Sequence, residues 1–240
     1  MPSDIIQELV DKTLRELSQE QKPQERSRIS KTSNGYIFLV AWSNASLLRF
    51  LNRKFTDSLP RSEYRLKAQA DDSCRSVVAN IEEGFARQTT SEYINFLGYS
   101  RASLIEEKGD IQRSLQDGFL KSIPGSSLKG LKIDLIEWHE ILKQSVISKS
   151  NRIKGIYGDL KEPKGKDADN RQIPVKSFKF LYSPVDDLKG EDLTYEVFIE
   201  LINKTDWNIR KLVESLEKKL NQDQKFYQVE KMRVYEKFKK

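Results

Sequence analysis

The stretch that decides the fold runs Ser76-Val77-Val78-Ala79-Asn80-Ile81-Glu82-Glu83-Gly84-Phe85-Ala86-Arg87. It resumes at Glu92-Tyr93-Ile94-Asn95-Phe96-Leu97 and again at Arg101-Ala102-Ser103-Leu104-Ile105-Glu106. Its apolar residues belong to two helical stripes. On the first, Leu66, Ala70, Cys74, Val77, Ile81 and Phe85 step by four, four, three, four and four, the spacing of one helix face. On the second, Tyr93, Phe96, Leu97, Ser100, Leu104, Ile111 and Leu115 line up in the same way. Between them Thr89-Thr90-Ser91 breaks the pattern, and Thr90 or Ser91 can cap the second helix. The spacing therefore predicts helices over 62–87 and 92–117, joined closely enough to pack antiparallel. Gly98, Ser100, Ala102 and Ser103 are small enough to let a neighbouring helix approach.

Outward from this pair, residues 36–58 carry Ile37, Val40, Ala41, Ala45, Leu48, Leu51 and Phe55 on one face, widened by Phe38, Trp42 and Phe50. A stripe that wide predicts burial on more than one side, and Pro60 marks its end. Residues 192–220 repeat the pattern with Phe198, Leu201, Ile202, Thr205, Ile209, Leu212, Leu216 and Leu220. Residues 127–147 read as a further helix through Leu128, Leu131, Leu135, Trp138 and Leu142, and residues 4–20 as an amphipathic one through Ile6, Leu9, Val10, Leu14 and Leu17. The expected organisation is an N-terminal amphipathic helix in 1–22 and a linker in 23–35. Three bundle helices follow in 36–120, then an accessory helix and basic loop insertion in 121–191, then the last bundle helix and a basic tail in 192–240. Val175 to Tyr182 reads as a short extended segment. The fold class is all-α: an antiparallel up-down four-helix bundle with an extra N-terminal helix and an irregular insertion before its last helix.

Composition narrows the function. Charged residues make up 32% of the 240 and the formal net charge is +6. The excess is not spread evenly. Residues 36–120 hold eleven basic and eleven acidic residues, whereas 143–179 hold ten against four and 201–240 eleven against six. There is one cysteine, so no intramolecular disulfide forms. Met1-Pro2-Ser3-Asp4-Ile5-Ile6 lacks the basic start of a secretion signal, and no run has the ~20 apolar residues of a membrane span. A cytoplasmic protein without membrane contact is expected.

Catalytic templates fail one after another. His139 is the sole histidine, which rules out a paired-histidine metal site, and beside Trp138 it reads as a helix-surface residue. Cys74 sits on an apolar stripe, where a small buried side chain is expected rather than a nucleophile. Gly125-Ser126-Ser127-Leu128-Lys129-Gly130 has Leu131 where a phosphate loop needs Lys. Asp167-Ala168-Asp169 opens like a calcium loop, but Gln172 replaces its glycine. The paired carboxylates Asp71-Asp72, Glu82-Glu83, Glu106-Glu107 and Asp186-Asp187 read mostly as solvated helix faces. No enzyme, cofactor or metal is expected.

The quoted stretch resembles the four-helix-bundle family associated with intervening sequences in bacterial 23S ribosomal RNA. The shared pattern is S-x-x-x-N-I-x-E-G, then E-Y-x-x-F-L, then a small-S-L-x-E run, and it extends backward through Trp42, Ala45 and Pro60. Phe198 to Trp207 and Leu216 to Lys219 look like the four-helix-bundle suffix of one branch. The likeness covers about 36–120 and 192–240; Glu107 and Gly109 stand where the family usually shows apolar or helix-favouring residues. The resemblance implies a homo-oligomer, often a ring of five. It also implies a relation to the accessory proteins of diversity-generating retroelements, which bind RNA and a reverse transcriptase.

Two site expectations follow. Asn80 and Glu83 lie one turn apart, as do Ser103 and Glu106, and antiparallel packing would let them share a structural polar cluster. For nucleic acid, RNA rather than DNA, the candidates are Lys149, Arg152, Lys154, Lys161, Lys164, Lys166 and Arg171 in the insertion. In the tail they are Lys218, Lys219, Lys225, Lys231, Arg233, Lys237, Lys239 and Lys240, interleaved with Phe226, Tyr227, Tyr235 and Phe238. The alternative is a protein-interaction scaffold built on the Phe38, Trp42 and Phe50 stripe and the N-terminal helix.

Overall fold

In the computed structural model, residues 34–158 and 182–238 are described, and they are all-helical, with no strand among them. The expected N-terminal helix, most of the linker, residues 159–181 of the insertion with most of the extended segment, and Lys239 and Lys240 lie outside the described residues. The helices are α1 (Val40–Ser58), α2 (Tyr64–Ala86), α3 (Thr90–Gln116), α4 (Leu135–Gly158), the single turn α5 (Ser183–Asp186) and α6 (Tyr195–Phe238).

The connection between α2 and α3 is short because Thr89 caps α3. Its hydroxyl accepts from the Glu92 N–H at 3.2 Å, and the Glu92 carboxylate accepts from the Thr89 N–H at 3.2 Å. This reciprocal pair satisfies two donors at the helix start, and it places the cap one or two residues earlier than the Thr90 or Ser91 expected. Gly84 lets the helices close up. A Cβ there would stand 2.7 Å from both Phe96 Cβ and Tyr93 Cδ2. Gly84→Ala should therefore force α2 from α3 and destabilise by about 1–3 kcal/mol, the usual cost of overpacking, read as a lower urea midpoint.

Four helices pack in a closed circuit: α1 on α2, α2 on α3, α3 on α6, and α6 back on α1. The core is the expected one. Ala45, Leu48, Leu51 and Phe55 of α1 meet Cys74, Val77 and Ile81 of α2, Leu97, Leu104 and Ile111 of α3, and Phe198, Leu201 and Ile209 of α6. The predicted two-sided burial of α1 is observed, since α4 covers another of its flanks. Phe38 and Val40 are the exceptions: both are exposed.

The expected helix over 127–147 starts late. Leu128 and Leu131 have helical spacing, but Gly125 has φ 87° and Lys132 φ 59°, and the Leu128 N–H is bound by the Glu200 carboxylate at 2.8 Å. Asp134 then caps α4, its Oδ1 accepting from the Ile136 and Glu137 N–H groups. From there α4 runs to Gly158, past the expected boundary at 147. Trp138 anchors it, fully buried, with its indole N–H donating to the Ser43 carbonyl at 2.7 Å.

Candidate nucleic-acid interface

α6 is far longer than its partners. Its 44 residues span about 66 Å, against about 28 Å for the 19 of α1. Its last buried side chain among those described is Ile209, and half-buried ones continue to Leu220. Beyond Leu220 every side chain described is exposed, Val229 and Met232 among them. The basic tail is thus helix to Phe238, continuing past the packed circuit.

At 100° per residue the outer face of α6 gathers lysines, with Glu200 on the same arc. Lys204, Trp207, Lys211, Lys218 and Lys225 fall within one arc of about 60°, and all five are exposed. The core-facing residues Leu201, Thr205 and Ile209 occupy the other side. Lys204 pairs with Glu200 at 2.6 Å and Lys211 with Glu214 at 2.8 Å, both along the helix. The Lys211 ammonium also lies 6.0 Å from the centre of the Trp207 ring. The result is a basic stripe with an aromatic platform at its inner end.

Of the expected basic residues, Lys218 and Lys225 lie on this stripe, and Lys219 is exposed on a neighbouring face. Lys231, Arg233 and Lys237 are on α6, and Lys149, Arg152 and Lys154 on α4. The side chains of these six are outside the described residues, as are those of Phe226, Tyr227, Tyr235 and Phe238. Lys161, Lys164, Lys166 and Arg171 are outside them altogether. Lys204, Trp207 and Lys211 were missed by sequence because they sit on a helix read for its buried seam. The signal was present as a Lys-Trp-Lys run at spacings of three and four.

Beside Trp207 lies an apolar groove of about 360 Å³ lined by Val40, Asn44, Leu135, Asn203, Lys204, Trp207 and Asn208. The Asn44 amide is 1% exposed, and neither its N nor its O has a hydrogen-bond partner.

The polar cluster expected from Asn80, Glu83, Ser103 and Glu106 does not form. Glu83 and Glu106 are exposed, Asn80 and Ser103 half-buried, and Glu83 pairs with Arg87 on its own helix at 3.8 Å. The polar residues that are buried or half-buried with partners lie elsewhere. Asp71 accepts from Thr56 at 2.8 Å and Arg53 at 2.6 Å. Asp110 accepts from Gln69 at 3.2 Å and Arg113 at 2.5 Å. Glu107 is fully buried, and the weakly donating Cys74 thiol is the group set against its carboxyl. Burial first, and then Asp110 and Asp71, push Glu107 up to about 8. The pairs Asp71-Asp72 and Glu106-Glu107 are thus not simple solvated faces, because successive residues point 100° apart.

Cys74 is buried as expected, and burial followed by Glu107 raises its thiol well above the ordinary value. His139 is half-buried, its Nδ1 2.9 Å from the Ser43 hydroxyl; burial and then Lys143 hold its pKa below the usual value. Among the described residues no three His, Cys, Asp or Glu side chains converge to hold a metal, and no helix is long and apolar enough to cross a membrane.

Residues 39–143 match the family model described as 23S rRNA-intervening sequence protein. The matched stretch takes in α1, α2, α3 and the first turns of α4, and stops before α6. No curated protein and no solved structure gives a match.

Proposed function

We propose that the chain is a non-enzymatic member of the 23S rRNA-intervening sequence family, an up-down four-helix bundle that self-associates and binds single-stranded RNA along α6. The observation that carries the RNA reading is the exposed stripe of Lys204, Trp207, Lys211, Lys218 and Lys225. Lysines neutralise phosphates, and an exposed indole offers a face on which a base stacks, without a requirement for sequence. A single helix face suits a flexible strand, which can follow it.

Self-association is supported by the outer arc of α3. Gly98, Tyr99, Ala102 and Ile105 lie together there, Tyr99 59% and Ile105 65% exposed. A Cβ on Gly98 would meet nothing within 4 Å. Of the small residues expected to admit a neighbouring helix, Ser100 does so within the chain, its hydroxyl donating to the Val77 carbonyl at 2.9 Å. Gly98 and Ala102 face outward, a flat apolar surface of the kind a second copy covers.

Anisotropy of a labelled single-stranded RNA tests the RNA reading. Trp207→Ala should weaken binding about tenfold or more, since a stacked base contributes about 1–3 kcal/mol. Full-length protein that leaves the RNA unbound at low salt contradicts the reading. Light scattering at the mass of one chain contradicts the self-association.

A further inference from the structure

Val40 and Asn44, one turn apart on α1, form one side of the groove beside Trp207. Asn203, Trp207 and Asn208 of α6 form the other, and Leu135, the first residue of α4, belongs to it too. The accessible wall is apolar, yet Asn44 in that wall is 1% exposed and its carboxamide has no partner at either N or O. A buried amide left unpaired is unfavourable, because it has given up water and gained no bond in exchange. A lone water suits the place poorly. Buried water is held where about two to four polar groups meet. Here the neighbours include Val40, Leu135 and the Trp207 ring, and the Asn208 amide N already donates to the Lys204 carbonyl at 2.9 Å. What suits the groove is a flat group, apolar on its faces and polar at its edge. A nucleobase has that form. The volume of about 360 Å³ is at the small end of ligand sites and admits one base.

The basic stripe brings such a group to the same place. Lys204 lines the groove, and the Lys211 ammonium lies 6.0 Å from the centre of the Trp207 ring. A strand whose phosphates follow these lysines carries its bases past the groove. We propose that the groove takes one unstacked base of the bound RNA, preferring adenine, with Trp207 against its face and the Asn44 carboxamide on its edge. The amide oxygen accepts from the adenine N6 amino group and the amide nitrogen donates to N7, the two-bond pairing that asparagine makes with this base. Guanine presents two acceptors on that edge, O6 and N7, and its O6 would face the amide oxygen. Cytosine and uracil have one ring and no N7, so they pair less well and cover less of the apolar wall. The Asn44 amide atoms are closed off from solvent, so the base reaches them as the side chains over the groove part. Trp207, 53% exposed, and the exposed Asn203 have room to do so. The stripe is blind to sequence, and the groove adds one position that is not. This selectivity rests on the RNA reading above and deepens it.

The test uses the full-length protein and labelled oligouridine RNAs that differ at one central position, followed by anisotropy. Central adenosine should bind about tenfold tighter than central uridine or guanosine, a ratio that one good two-bond pairing supplies. 7-Deazaadenosine, in which a C–H group replaces N7, should lose most of that advantage. Asn44→Leu should bind all of these RNAs alike, at the native affinity for uridine. Its Tm should be unchanged or raised, since leucine puts an apolar side chain of similar size where an unpaired amide was buried. Native protein that binds RNA without preferring adenosine overturns the groove reading and leaves the stripe standing. A preference that persists with 7-deazaadenosine, or in a folded Asn44→Leu, overturns it equally. Adenosine monophosphate that displaces the RNA at equal concentration assigns the groove to a free nucleotide and overturns the RNA-bound base. RNA left unbound at low salt overturns the reading of the stripe, and this one with it.

Discussion

Replacing Glu107 with glutamine should leave stability unchanged at pH 4 and raise it by about 5 kcal/mol at pH 9, on the order of 10 °C in Tm. The carboxyl is fully buried, with Asp71 and Asp110 adding negative charge, and its pKa in the fold is about 8 against an ordinary 4.5. A raised carboxyl pKa fixes the sign. The folded protein keeps the proton up to about pH 8, whereas the unfolded chain releases it above about 4.5. Stability attributable to this group is therefore complete below pH 4.5. It falls by about 1.4 kcal/mol per pH unit up to pH 8, and is flat beyond. Glutamine has the shape of the protonated acid and does not titrate. Urea unfolding of both proteins between pH 4 and 9 should show that slope in the native protein and its loss in the variant. Parallel curves would mean that Glu107 is already ionised and paired in the fold.

The second large effect concerns the outer face of α6. Reversing Lys211, Lys218 and Lys225 together to glutamate should weaken RNA binding about 10³-fold. Three charge-assisted phosphate contacts at about 1.5 kcal/mol each give roughly that ratio. All three side chains are exposed and none faces the core, so the thermal transition should move little. The matching reversal of Arg49, Arg65 and Arg75, exposed on α1 and α2, should leave RNA affinity within a few-fold. If the second triple weakens binding as much as the first, binding follows net charge alone and the stripe has no special place in it.

The apolar skeleton was legible because each helix keeps a strict period. Leu66 to Phe85 and Phe198 to Leu212 are buried or half-buried at the positions their spacing assigns. The polar interior was not legible, for a specific reason. The α3 seam runs 93, 97, 100, 104, 107, 111 and 114, alternating steps of four and three, so register alone places Glu107 and Ser114 inside. By residue type Glu107 reads as a surface charge although its register is buried, and Asn80 and Glu83 lie away from that seam. Spacing misled in the other direction at 127–134. There Leu128 and Leu131 mimic a helix, while Asp134 and the positive φ of Lys132 place the helix start at Leu135. The basic stripe was half legible. Lys218 and Lys225 were expected from the charge of the tail, but Lys204, Trp207 and Lys211 became visible only when the packed side of α6 was known.

The most direct measurement is the salt dependence of RNA affinity, as log Kd against log salt concentration, for the native protein and for Lys218→Gln/Lys225→Gln. Single-stranded binding loses about 0.7 in slope per phosphate contact. The stripe predicts a steep dependence in the native protein and a slope shallower by about 1.4 in the variant, two contacts' worth. A native affinity indifferent to salt, or a variant line parallel to the native one, would place RNA recognition off α6 and contradict the account.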